Sequence, residues 1–161
     1  MIKAMKIKTF FCFALFITLL ISCNDGILKD SEIKETKKAI IEKGDKYSYS
    51  KLLLYYQGKE ESEAILPLSF VMAYKYNDAD AYYVIYETII KLYNKSQFDY
   101  SLIKNLDIKS REFALTHLIK SAGLGNFGAK KILAKYYDEG VYLPKKSELA
   151  KKLLEEIKIQ K

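Results

Sequence analysis

Apolar residues return every three or four positions along most of this chain. Ile33, Ile40 and Ile41 form one set, Leu52, Leu53 and Tyr56 a second, Leu68, Val71 and Met72 a third, and Val84, Ile85, Ile89 and Leu92 a fourth. An α-helix completes a turn in about 3.6 residues, so this spacing gathers the apolar side chains on one stripe that can be buried. No segment alternates in polarity between hairpin-turn residues, so the pattern predicts no sheet. The expected fold class is all-α.

The elements also repeat. Gly44-Asp45 followed by Ser48 and Leu52, Asn77-Asp78 followed by Ala81 and Ile85, and Gly125-Asn126 followed by Ala129 and Leu133 share one order. A turn residue comes first, then a helix cap, a small residue three beyond the cap and an apolar one four further on. Asp45 to Asp78 is 33 residues and Asp78 to Asn126 is 48. The excess of 15 matches the stretch 95–109, where Phe98, Tyr100 and Ile103 predict an ordered insertion containing a short extra helix. Ala114 and Leu118 return as Ala150 and Leu154, 36 residues on.

Periods of this length belong to stacked helical hairpins, in which small side chains let helices approach and each hairpin buries its apolar face on the next. The predicted architecture is an α-α superhelix, or solenoid, of about three hairpins plus a C-terminal capping helix from near Ser147. Asp45, Asp78 and Asn126 are expected N-caps, as are Ser110 and Ser147. Pro67 suits an early helical turn, and Gly140 suits a chain leaving a helix.

The stretch 112–157 resembles the Sel-like repeat family, relatives of the tetratricopeptide repeat. The resemblance rests on Ala114, Leu118, Ala122, Gly125, Asn126, Ala129, Leu133, Tyr136, Gly140, Val141, Ala150 and Leu154. In stacked hairpins the first helix of each pair lines the concave surface that grips partners. Aligning the copies sets Ser69, Met72 and Lys75 against His117, Lys120 and Gly123. Ser69, Met72, His117 and Lys120 are therefore the candidate partner groove.

Ahead of the repeats, Lys3, Lys6 and Lys8 precede an apolar run from Phe10 to Ile21, then Ser22 and Cys23. A charged start, an apolar stretch below the roughly 20 residues that span a bilayer, and a small residue at the cut describe a signal peptide. Leu20-Ile21-Ser22-Cys23 resembles a bacterial lipobox. That resemblance implies cleavage before Cys23 and acylation of its thiol, palmitate included. It divides the chain into a lipoprotein signal peptide at 1–22, a lipidated tether at 23–29 and a repeat domain at 30–161. The protein is then expected in the cell envelope, anchored by lipid and extracytoplasmic, on the periplasmic side of a Gram-negative cell. Asn24 after the cysteine favours the outer membrane where there is one.

Charge changes this picture little. The chain carries +7, and residues 1–22 account for three lysines and no acids, leaving +4 spread over the rest. No basic stripe or RNA-binding signature suggests nucleic acid. The two cysteines are Cys12, in the signal, and Cys23, so no disulfide is expected within the repeats and packing must carry stability. All 14 tyrosines follow residue 46 and supply large side chains with a polar tip.

Catalytic signals are sparse. His117 is the only histidine, which excludes a histidine-clustered metal site. No strained nucleophile elbow surrounds it, and no glycine loop cradles phosphate. Glu60, Glu61 and Glu63, like Asp78 and Asp80, read as helix-start charge rather than as an acid–base pair. The expectation is a non-enzymatic module without cofactor or metal that binds another protein or peptide. A toxin immunity protein at the membrane is one specific form of it. A cell-wall-associated enzyme or peptidoglycan binder is the alternative class, although the disulfide-stapled secreted branch of the Sel-like family lacks a match in these cysteines.

Overall fold

The computed structural model describes residues 28–159, and these contain no strand. The expectations placed on the signal peptide and on Cys23 lie outside them. Seven α-helices follow one another: α1 (Ile33–Lys43), α2 (Lys46–Gly58), α3 (Leu66–Tyr76), α4 (Ala79–Tyr93), α5 (Ile108–Gly123), α6 (Phe127–Glu139) and α7 (Ser147–Ile159). Short 3-10 segments occupy Asp30–Glu32, Ser62–Ile65 and Tyr100–Asn105. Helices α1 and α2, α3 and α4, and α5 and α6 pair as hairpins; α1 also packs on α3, α4 on α5, and α6 on α7. The fold is an all-α superhelix of helical hairpins.

The repeated turn has a local cause. Gly44, Asn77 and Gly125 take positive φ, at 64°, 53° and 100°. That left-handed conformation is cheap for glycine and tolerable for asparagine, and it reverses the chain at the end of a helix. The next residue caps the following helix. Asp45 accepts from the amides of Tyr47 and Ser48, Asp78 from that of Ala81 at 2.9 Å, and Asn126 from that of Ala129 at 2.7 Å. The recurring small residue is thus the donor to the cap, and Ala81 and Ala129 are fully buried, each in one of the two core clusters. Pro67 lies in the first turn of α3, where its missing amide costs no helical bond, and Gly140 ends α6 at φ 68°.

Two caps differ from expectation. Ser110 does not cap α5: Asp107 does, accepting from the Ser110 amide at 3.1 Å, so this helix starts earlier, at Ile108. The carboxylate is a charged acceptor of the same reach, and it captures the free amides first. Ser147 is the first residue of α7 rather than its cap, and the Ala150 amide donates to the Lys146 carbonyl.

The core has two parts joined through α4. Ile40, Leu52, Ile65 and Met72 pack with Ala81, Val84 and Ile85, while Ile103, Leu118, Leu133 and Tyr136 pack with Tyr86 and Ile90. The stretch 95–106 is held against the second part by buried Ile103 and Leu106, with Phe98 edge-on to Tyr86 and Tyr100 edge-on to Tyr136. The Tyr136 hydroxyl donates to the Tyr100 carbonyl at 2.6 Å, so the Tyr86 hydroxyl at 2.9 Å must donate to it. Arg111 donates to the Leu106 carbonyl at 2.8 Å and lies over the Tyr142 ring, tying this stretch to the loop before α7.

Candidate interaction face

Three of the four sequence-predicted groove residues are interior. Ser69 and Met72 have no exposed surface and His117 has 2%; only Lys120 reaches solvent. The correction has a physical reason in each case. Ser69 donates to the Ile65 carbonyl at 3.1 Å and accepts from the Tyr49 hydroxyl at 2.8 Å, which makes it the polar joint between α2 and α3. Met72 fills the first core. His117 lies between α3, α4 and α5 with both ring nitrogens engaged: Nδ1 donates to the Phe113 carbonyl at 2.7 Å, and Nε2 sits 2.8 Å from the Tyr74 hydroxyl. Because a carbonyl can only accept, the neutral ring carries its proton on Nδ1 and Nε2 accepts from Tyr74. Burial holds the His117 pKa below its usual value, with the Phe113 carbonyl opposing.

Aromatic rings cover His117. Phe70 and Tyr74 of α3 and Phe113 of α5 surround it, with Phe70 and Phe113 centroids 6.3 Å apart and Tyr74 edge-on to the imidazole at 5.8 Å. Tyr74 is 62% exposed and Phe113 38%. Two turns on from Phe113, Lys120 adds an exposed cation on the same helix. The aromatic residues stand four apart on each helix, Phe70 with Tyr74 and Phe113 with His117, so each pair lies on one face. That spacing was the sequence signal for this patch, and the register between copies did not reveal it.

Between α5 and α7 the first helices part and leave a cleft of about 310 Å³. Ile119, Leu149 and Leu153 form its sides and Lys130 of α6 its floor. Lys130 is 8% exposed and reaches Glu156 of α7 at 2.8 Å. The lysine, through a side-chain hydrogen bond and its charge, lowers the Glu156 pKa. Nothing in the periodicity marked Lys130, because a lysine at a buried position looks like any solvated one until its partner is known.

Three of the carboxylates singled out in the sequence, Asp78, Asp80 and Glu63, serve the scaffold. Asp78 is 2% exposed in its side chain, caps α4 and binds Lys46 at 2.8 Å. Asp80 accepts from the Asn126 side chain at 2.6 Å, and Glu63 from the Ser96 hydroxyl at 3.0 Å. Among the described residues no three histidine, cysteine or acidic side chains gather as a metal site. The arrangement offers flat aromatic surface, a cleft with apolar walls and exposed charge, which suits non-covalent contact. In comparisons with protein-family models, curated proteins and solved structures, nothing matches this chain.

Proposed function

We propose that this protein is a non-enzymatic interaction module that binds another protein or peptide through the face formed by α3 and α5. The observation carrying this reading is the partly exposed ring set Phe70, Tyr74 and Phe113, fixed in place by the buried His117. Aromatic side chains immobilised before binding lose little entropy on contact and are the residue type that dominates interface energies. The Sel-like spacing of Ala114, Leu118 and Ala129 supports the same class of function, as does the hairpin packing built on it. The lipobox-like Cys23 supports an anchored position at the cell envelope.

The test is crosslinking and affinity purification from solubilised membranes. A stoichiometric protein partner should be recovered, and Phe113→Ala combined with Lys120→Glu should reduce its capture roughly tenfold or more while circular dichroism stays unchanged. Unaltered capture by that variant, or no partner under crosslinking, overturns the reading. Membrane retention of a Cys23→Ala product would separately remove the anchor.

A further inference from the structure

Tyr49, Leu52 and Tyr56 form the buried side of α2. At about 100° per residue, Tyr47, Lys51 and Leu54 fall on the opposite side, where Tyr47 keeps 68% and Leu54 66% of its surface exposed. The other second helices are built differently at these places. Counting from the caps, the positions of Tyr47 and Leu54 hold Asp80 and Glu87 in α4, and Gly128 and Lys135 in α6. A repeat array needs a polar outer face on its terminal repeats to stay in water. Yet α2, in the first repeat, contains no acid from Lys46 to Gly58 and turns a tyrosine and a leucine outward, with Lys51 over the tyrosine ring at 5.4 Å.

The path of the chain decides what meets this face. Leu28 is buried in the same core as Leu52 and Tyr56. The Asp30 carboxylate accepts from the Tyr55 hydroxyl at 2.6 Å and lies 3.3 Å from the Lys59 ammonium. From Leu28 onward the chain is therefore pinned beside α2. Cys23 stands five residues before Leu28, a reach of at most about 18 Å, while α2 itself is about 20 Å long. An acyl group on Cys23 thus brings the first hairpin to the lipid surface.

We propose that the outer face of α2 rests on the bilayer, with Tyr47 and Leu54 entering the headgroup boundary and Lys51 meeting anionic headgroups. This inference rests on the lipobox reading of Cys23. A tyrosine suits that boundary because its ring is apolar and its hydroxyl stays wet, and a lysine can lay its stem along apolar surface while its ammonium reaches phosphate. Two such side chains would hold a free chain poorly. The anchor makes their contact intramolecular and raises the effective concentration of the face at the membrane. The contact uses no residue of the α3–α5 face.

The chain contains no tryptophan, so Tyr47→Trp, Leu54→Trp and, as a control, Val141→Trp at an exposed position before α7 each install a single fluorophore. The acylated chain carrying each is reconstituted into vesicles of phosphatidylcholine and phosphatidylglycerol, with and without brominated acyl chains. Bromine should quench the reporters at 47 and 54 roughly twofold and leave the reporter at 141 within about a tenth of its full intensity. Leu54→Glu added to Tyr47→Trp should relieve most of the quenching while the chain still floats with the vesicles. Lys51→Glu should reduce it in vesicles containing phosphatidylglycerol and not in phosphatidylcholine alone. Unquenched reporters at 47 and 54 on vesicle-bound chain, equal quenching at all three positions, or insensitivity to both substitutions overturns the proposal and leaves the anchor standing. A chain that does not float with the vesicles removes the anchor and the proposal with it. Crosslinking of two copies through position 54 also overturns it, since a second copy would then be the occupant.

Discussion

Gly44 is fixed by two independent demands. Its φ of 64° is unfavourable for a side chain, and a Cβ would stand 2.5 Å from the Tyr76 ring. That ring cannot yield freely, because the Tyr76 hydroxyl donates to the Ile41 carbonyl at 2.9 Å and so satisfies the end of α1. Gly44→Ala should cost about 2 kcal/mol and lower the melting temperature by several degrees, measurable by thermal circular dichroism. His117 makes a pH prediction of definite sign. Its folded pKa lies below the ordinary 6.5, so the unfolded chain binds a proton more readily. The stability it supports is complete above 6.5 and is lost as pH falls from there through the folded value. Urea midpoints measured from pH 7.5 to 5 should fall on that limb, and His117→Phe should flatten it. The tyrosine pair permits a ranking. Tyr136→Phe leaves the Tyr100 carbonyl without its donor and the Tyr86 hydroxyl without its acceptor, and should cost about 1–3 kcal/mol. Tyr86→Phe spares the carbonyl and should cost less; the reverse order in chemical denaturation would contradict this hydrogen-bond assignment.

At the scale of elements, the turns were legible because their physics is local. Asp45, Asp78 and Asn126 cap helices by reaching amides two or three residues on, and the left-handed residue before each carries its own signal in glycine or asparagine. The start of α5 was missed by one competitor, Asp107, whose carboxylate took the position assigned to Ser110. The face that each helix presents was not legible in the same way. Ser69 and His117 sit on first helices as expected, but α3 approaches α5 closely enough for aromatic rings to close over the histidine, and that separation is set by packing across 43 residues of sequence. Lys130 shows the same limit: its burial depends on where α7 lies, which no pattern within α6 encodes. The insertion could be recognised from its apolar content, while its attachment through the Tyr100 carbonyl depended on a hydroxyl 36 residues away.

Across the whole molecule, α4 joins what would otherwise be two small cores. Ala81, Val84 and Ile85 belong to one and Tyr86 and Ile90 to the other, on consecutive turns of a single helix. The two parts should therefore unfold together. Ile85→Ala and Ile90→Ala are each expected to cost about 2–5 kcal/mol and to lower amide protection in both parts, as hydrogen exchange would report. A substitution that loosened only its own half would show that the parts fold separately.

The shared helix also bears on how the polypeptide tolerates being severed. Lys95 and Ser96 both hold positive φ in an exposed turn directly after α4, a natural place for a nick. A cut there leaves the first fragment carrying Tyr86 and Ile90, side chains that complete the second fragment's interior. The first piece keeps its own core, Leu28 to Ile85, but lays those two side chains bare, while the second lacks them; the two would have reason to find each other again as a complementing pair.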